Sequence, residues 1–122
     1  MMDGFFGGVV TQLAHGLDFA ARRHEVLTEN LANSATPGYR GRDLLFEDQL
    51  SPLLASAPDD GRPVPGASVV YTSDGAAGAD GNDVHIDRQM ARLAENTLFH
   101  QALVQVLAGQ FTLLKQAISG RV

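Results

Sequence analysis

Two stretches of the sequence repeat apolar residues at alternating spacings of three and four. That spacing is typical of helices that bury one face against a partner helix. The stripe of the first stretch, whose one strongly polar member is His24, is Val10, Leu13, Leu17, Ala20, His24, Leu27 and Leu31. The stripe of the second, longer stretch is Ile86, Met90, Leu93, Thr97, His100, Val104, Leu107, Phe111, Leu114 and Ile118. The pattern predicts one long helix near each end of the chain.

The segment between the two stretches has a different composition. It contains the turn-forming sequences "APDDGRPVPGAS" and "SDGAAGADGND", which are poor in large apolar side chains. "LLFEDQLSPLLAS" could hold a short helix interrupted at Pro52, and "SVVYT" predicts one short strand. We therefore expect a largely irregular or flexible connection.

These elements predict an all-α fold in which the two terminal helices form an antiparallel coiled-coil hairpin. The expected divisions are a coiled-coil helix at 1–33, a turn and irregular connection at 34–85, and a second coiled-coil helix at 86–122. Aligning Val10 with Ile118 would pair the two stripes. The predicted interface residues are Leu13, Leu17, Leu27, Leu31, Met90, Leu93, Val104, Leu107, Phe111, Leu114 and Ile118.

A lone pair of helices shields only one side of each stripe, so an apolar edge stays exposed and the chain is expected to assemble with others. Gly16 and Gly109 lie inside the predicted helices and each costs about 1 kcal/mol relative to alanine. We therefore expect the isolated chain to be only partly ordered.

Composition removes several classes of function. The chain has 122 residues, a net charge of -5 and nine scattered basic residues, so it lacks the basic patch of a nucleic-acid binder. It has no cysteine, which excludes disulfides and thiolate chemistry. The first residues carry an acidic side chain where a secretory signal would be basic, and no apolar run is long enough to span a membrane.

No catalytic or metal-binding pattern emerges from the remaining residues. The four histidines do not form the i, i+4 pair of a helical zinc site, and "DGNDVHID" lacks the glycine and glutamate of a calcium loop. No serine has a nucleophile-elbow setting. The pattern instead predicts a tight turn at Asp80-Gly81-Asn82 and a helix cap at Asp87. We expect no enzyme activity, no cofactor and no small-molecule substrate.

Residues 30–40, "NLANSATPGYR", carry more than a helix stop signal requires. Asn33 can satisfy terminal carbonyls or adopt a left-handed backbone, Pro37 fixes φ, and Gly38 permits a sharp change of direction. Turn chemistry leaves Asn30, Tyr39 and Arg40 unexplained. We expect these three side chains to point outward and to contact a neighbouring subunit.

This stretch resembles the N-terminal signature of the bacterial flagellar rod, hook and hook-associated proteins, an Asn-Leu/Ile-Ala-Asn-x-x-Thr-Pro-Gly-Tyr element. "RDLLF" at 42–46, "DGNDVHIDRQMARLAENTLFHQA" and "FTLLKQAISGR" are similar to the proximal rod members of that family. The resemblance covers about residues 9–50 and 80–121. The signature residues that it marks for assembly are Asn30, Leu31, Ala32, Asn33, Thr36, Pro37, Gly38, Tyr39 and Arg40.

The resemblance implies a structural subunit of the proximal rod, exported without a cleaved signal by the flagellar type III apparatus and located in the periplasmic rod of the basal body. Its implied role is to transmit torque from the inner-membrane ring to the distal rod and hook. Its implied partners are other rod proteins, the ring-to-rod adaptor, the inner-membrane ring, the export gate and further copies of itself. A Phe-x-x-x-apolar peptide, with Phe5 and Val9 as one match, would dock at the gate.

Two other functions fit part of the pattern. A soluble coiled-coil adaptor or export chaperone would also have exposed apolar stripes and an acidic balance, but it would stay in the cytoplasm. A metal- or substrate-binding enzyme would be stabilised by its ligand.

Overall fold

The protein consists mostly of two long helices, α1 (Met2–Ala32) and α2 (Ile86–Ser119). The structure is a computed structural model that describes residues 2–44 and 69–120, and the side chains in those ranges from residue 7 onward. At 1.5 Å per residue the helices are about 46 and 51 Å long. The sequence prediction of two long terminal helices is confirmed. The possible short helix around Pro52 lies outside the described residues.

The helix ends follow from local hydrogen bonds. The side-chain amide of Asn33 donates to Glu29 O at 2.9 Å, which satisfies a terminal carbonyl of α1. α2 ends at Ser119 and is capped by Gly120, which has a left-handed φ of 69° and whose N–H bonds to Gln116 O. The expectation for Asp87 is wrong, because the N-cap is His85 and Asp87 lies in the first turn.

A small antiparallel sheet lies between the helices in sequence. Strands β1 (Arg42–Leu44) and β2 (Val69–Tyr71) pair with Asp43 opposite Val70. β2 matches the predicted strand at "SVVYT", whereas β1 was expected to be irregular. Sequence reasoning missed β1 because its polar Arg42-Asp43 pair shows no alternation of apolar residues. The two strands correct the prediction of an all-α fold to a mostly helical one.

The two helices contact each other through a sequence of pairs. Asn30 bonds to Gln89, and the side-chain amide of Asn96 donates to Ala20 O at 2.8 Å. Farther along, Gly16 faces Leu103, and a Cβ at Gly16 would lie 3.0 Å from a methyl carbon of that leucine. Along these contacts the residue numbers increase on α2 as they decrease on α1. The observed register is therefore displaced by about ten residues from the predicted pairing of Val10 with Ile118.

The core of the described residues is small and half polar. Its buried apolar residues are Phe19, Ala20, Leu27 and Leu44. Its buried polar residues are Asn30, Asp74, Asn82, Gln89 and Asn96. Because hydrogen-bonding groups occupy so much of the core, direction and register depend on polar contacts as well as on apolar burial.

The predicted coiled-coil residues divide between the two helices. On α1, Leu27 is fully buried, and three others are half-buried: Leu13, Leu17 and Leu31. On α2 two residues are half-buried, Leu93 and Leu107. The other five are exposed, at 52% for Met90, 44% for Val104, 54% for Phe111, 37% for Leu114 and 79% for Ile118.

The face of α2 that meets α1 therefore lies beside the predicted stripe and is built around Gln89, Asn96 and Leu103. An interface role for the five exposed residues stays a prediction, and it concerns contacts with other chains. No helix in the described ranges is both long and apolar enough to cross a membrane.

Candidate functional site: the signature loop and its polar anchor

The loop at residues 33–41, called here the signature loop, turns the chain sharply after α1. Thr36 N donates to Asn33 O at 3.0 Å, and the Thr36 hydroxyl donates to the Asn33 side chain at 3.1 Å. Gly38 has φ +73°, which favours glycine, and its N–H bonds to Asp80 O at 2.8 Å. The predicted roles of Asn33 and Gly38 in the turn are confirmed, although Asn33 does not take a left-handed backbone.

Asn82, which is distant from this loop in the sequence, holds the loop in place. Its side-chain amide faces three backbone carbonyl oxygens, Asn33 O at 2.9 Å, Ser34 O at 3.1 Å and Thr36 O at 2.7 Å. Its side-chain oxygen accepts from Val84 N at 2.8 Å. Asn82 is 7% exposed, so these bonds are shielded from water. One side chain thus joins the end of α1 to the segment before α2.

The predicted tight turn around Gly81 is confirmed, with φ +80° and a bond from Asn82 N to the Asp80 carboxylate. Sequence reasoning treated Asn82 only as part of that turn and missed its contact with the signature loop. A sequence separation of 46 to 49 residues leaves no local signal for such a contact.

Asn30 is the centre of the second connection. Its amide nitrogen donates to Arg42 O at 2.6 Å and to Gln89 Oε1 at 3.1 Å. Its oxygen accepts from Arg42 N at 3.0 Å and from the Tyr39 hydroxyl at 3.2 Å. All four hydrogen-bonding positions of the amide are therefore used. The expectation that Asn30 points outward is wrong, because it is fully buried and holds β1 against α1 and α2.

The connection continues from Gln89 into the segment before α2. The Gln89 amide donates to Asp74 Oδ2 at 2.7 Å, and the same oxygen accepts from His85 N at 2.9 Å. Arg92 forms an ion pair with the other Asp74 oxygen at 3.0 Å. We call Asn30, Gln89, Asp74 and Arg92 the polar anchor. It joins α1, β1, α2 and the preceding segment through a row of hydrogen bonds that ends in the Asp74–Arg92 ion pair.

A second ion pair fixes β1 to α1. Arg23 and Asp43 meet in a two-pronged contact with N–O distances of 2.9 and 3.1 Å. Burial opposes the charge on Arg23, but the hydrogen bond and attraction from Asp43, with a smaller contribution from Glu95, outweigh it. The pKa of Arg23 is therefore raised above its ordinary value. Arg23 therefore keeps its charge throughout the physiological pH range.

The remaining signature residues lie at the end of α1 and on the outer side of the loop. Leu31 and Tyr39 are half-buried. Arg40 is exposed and stacks its guanidinium over the Tyr71 ring at 4.5 Å. The other exposed signature residues are Ala32, Thr36, Pro37 and Gly38. The loop therefore has a rigidly held backbone beneath an accessible surface, an arrangement suited to a protein contact.

Within residues 2–44 and 69–120, no cluster of three or more histidines and carboxylates could hold a metal ion. The proposed export-docking residues lie near the start of α1, where Val9 is half-buried and the side chain of Phe5 is outside the described set.

Comparison with known proteins gives a consistent result. No protein-family model matches the chain. It is similar to the flagellar basal body rod protein FlgB of Bacillus subtilis, with 33% identity over 94% of this chain and 96% of the relative. It is also similar to the proteins of that name in Aquifex aeolicus, with 33% identity over 86% and 88%, and in Escherichia coli, with 32% identity over 77% and 80%.

Proposed function

The chain belongs to the FlgB family of flagellar basal body rod proteins, and from this membership we propose how its helices and signature loop act in the rod. It is a structural subunit of the basal body rod and not an enzyme. The finer proposal is that it polymerises in the proximal rod, after export by the flagellar type III apparatus, and transmits torque to the distal rod and hook. The relationship favours this role over a cytoplasmic adaptor or chaperone.

The two helices act as an antiparallel coiled-coil hairpin. The support is the series of contacts from Asn30–Gln89 through Ala20–Asn96 to Gly16–Leu103. Glycine at position 16 leaves room for the Leu103 side chain against α1, which offsets its low helix propensity. A stiff hairpin suits a rod subunit because load is carried along two continuous hydrogen-bonded helices.

The single observation that supports assembly is the exposed apolar surface of α2. Every residue from 111 to 120 is exposed, although this end of α2 carries four large apolar side chains, Phe111, Leu113, Leu114 and Ile118. Three more exposed residues follow the predicted stripe, Ile86, Met90 and Val104, and two lie on other faces, Leu98 and Val106. A chain that acted alone would be expected to cover a surface of this kind.

We assign the exposed apolar surface of α2 to contacts with neighbouring rod subunits, and the outer surface of the signature loop to a second contact. Expected neighbours are further copies of this chain, other rod proteins, the ring-to-rod adaptor, the inner-membrane ring and, during export, the gate. The Phe5 to Val9 peptide is assigned to gate docking. The polar anchor holds the loop in a fixed direction relative to both helices, so load on one contact reaches the other.

The test replaces single exposed residues in the source organism. Phe111→Asp and Ile118→Asp should each abolish swimming and remove the chain from detergent-extracted basal bodies, while urea unfolding of the purified chain stays unchanged. Gln105→Asp, on an exposed polar position of the same helix, is the matched control and should swim normally. Normal swimming of both apolar variants would refute the assembly role of α2.

Leu27→Asp should behave differently from those variants. Leu27 is fully buried between the helices, so a charge there would unfold the hairpin itself. The cellular level of this variant should fall, whereas the level of the α2 variants should not. Localisation is checked by fractionation, since a wild-type chain found only in the cytoplasm would contradict the rod assignment.

A further inference from the structure

A groove of about 420 Å³ opens between the helices at mid-height. Its lining includes Ala20, His24 and Glu25 from α1 and Asn96, Thr97 and His100 from α2. We call it the interhelical groove. It lies apart from the exposed apolar end of α2, from the signature loop and from the polar anchor. It shares Ala20 and Asn96 with the contact between the helices, and Thr97 and His100 with the predicted stripe of α2.

The groove contains an unpartnered buried acceptor. Asn96 is 2% exposed, and its side-chain oxygen has no hydrogen-bond partner. Its amide nitrogen donates to Ala20 O at 2.8 Å, so the side chain cannot rotate by 180° without losing that bond. The oxygen is therefore fixed as an acceptor. A buried acceptor without a donor costs about 1–3 kcal/mol. Because almost none of this oxygen is open to solvent, a donor from the groove recovers that energy once the lining side chains move aside.

The charge at the groove specifies the kind of donor. Glu25 lines it, is exposed, and makes no ion pair among the described residues. A carboxylate beside a fixed carbonyl oxygen favours a cationic group with several N–H donors. The alanine side chain on the lining favours an apolar stem behind that cation. Lysine combines the two, with a four-carbon stem and an ammonium group.

The chain has one lysine, Lys115. It lies on the fully exposed end of α2, and no ion pair of the described residues includes it. Seventeen residues of α2, a length of about 25 Å, separate Lys115 from the middle of the groove residues on the same helix. Lys115 therefore cannot reach the groove of its own chain. The exposed Phe111 and Ile118 on the same end provide apolar contacts around it.

We propose that the interhelical groove of one copy receives Lys115 of a second copy, with the ammonium group between Glu25 and the side-chain oxygen of Asn96. The proposal rests on the self-association included in the proposed function and names its site. Groove and lysine are different patches of one chain, so the contact is heterologous. Repetition of such a contact generates a ring or a helical array, which suits a rod.

The test uses charge exchange in the source organism. Glu25→Lys and Lys115→Glu should each lower the amount of the chain in purified basal bodies by more than about tenfold. The double variant should restore it to within about threefold of wild type, because the exchanged charges attract again. Arg88→Glu, which changes the other exposed basic residue of α2 without a described ion pair, is the control and should have little effect.

Cross-linking gives an independent measurement, since the chain has no native cysteine. Glu25→Cys with Lys115→Cys should form oligomers when basal bodies are treated with a short bis-maleimide that replaces the length of the two side chains, since a direct disulfide could not span it, whereas Glu25→Cys with Arg88→Cys should not. Cross-links in the first pair support the contact even if a charge variant misfolds. Their absence in assembled rods, together with no rescue by the double exchange, overturns it.

The outcomes separate this proposal from the proposed function. Absence of the wild-type chain from basal bodies would contradict both. Normal incorporation of the wild-type chain with normal incorporation of both charge variants would remove the groove contact alone. Cross-links that stop at a closed dimer would overturn the heterologous arrangement, because a two-fold pair has no free groove left.

Discussion

Replacement of Asn30 by alanine should destabilise the chain far more than the same change at Asn33, three residues away in the signature. Asn30 is fully buried and uses all four hydrogen-bonding positions, whereas the Asn33 side chain makes its bonds at an exposed site. Asn30→Ala would leave three groups unpaired, Arg42 N, Arg42 O and Gln89 Oε1. The half-buried Tyr39 hydroxyl would also lose its acceptor but can bond to water instead. The comparison tests whether the signature asparagine is a structural centre or a surface contact.

The expected loss in the free energy of unfolding follows from the three groups left unpaired. At about 1 kcal/mol each, the lower end for a buried polar group, the loss is about 3 kcal/mol. For Asn33→Ala we expect about 1 kcal/mol or less, because water replaces the lost bonds. In a chain of this size, 3 kcal/mol corresponds to a fall in Tm of roughly 10–15 °C.

Urea unfolding followed by circular dichroism at 222 nm measures the difference on purified wild type and both variants. Amide hydrogen exchange of Arg42 gives a local readout, since its N–H bonds directly to Asn30. Exchange at Arg42 should accelerate in Asn30→Ala and stay slow in Asn33→Ala. Equal stability losses for the two variants, or a loss below about 1 kcal/mol for Asn30→Ala, would refute the assigned role of the polar anchor.

Three further changes test other parts of the same arrangement. Asn82→Ala should leave three loop carbonyls without their donor and lower the free energy of unfolding by about 2 kcal/mol. The signature loop should then become sensitive to limited proteolysis, and an unchanged cleavage pattern would contradict this role of Asn82. Asp43→Asn should lower the free energy of unfolding in urea by about 3 kcal/mol. A double-mutant cycle with Arg23→Met should give a coupling energy of more than about 1 kcal/mol between the two residues. If the two losses of stability were additive, the contact would not stabilise the fold. Gly109→Ala should raise stability by about 0.5–1 kcal/mol, because nothing lies within 4 Å of the added methyl group, whereas Gly16→Ala should gain less because its methyl group would press on a leucine.

The main elements could be predicted because their signals are local. Helix periodicity predicts two long helices, and both are present. Turn chemistry predicts a sharp bend at Gly38 and a tight turn at Gly81, and both glycines have positive φ. The strand at β2 follows from its apolar, β-branched composition. The signature residues predict family membership, which the comparisons confirm.

The pairing of distant residues could not be predicted in the same way. An apolar stripe at heptad spacing specifies that a helix face is to be covered, but not by which partner. In this chain, α2 turns Gln89 and Asn96 towards α1 and leaves Phe111 and Ile118 exposed. Polar residues decide the match because an unpaired buried amide is costly, whereas an exposed apolar side chain can be covered later by another subunit.

The sequence by itself determined the two helices, the turn after the first of them, the absence of cysteine chemistry and the family. Only the tertiary structure decided that Asn30 faces inward, that Asn82 and Asp74 hold the ends of the hairpin together, and that a groove with an unpartnered acceptor lies beside Glu25. The physical reason is the range of the interactions. Helices and turns depend on neighbours within a few residues, whereas each of these contacts joins positions that only the folded chain brings within hydrogen-bond distance.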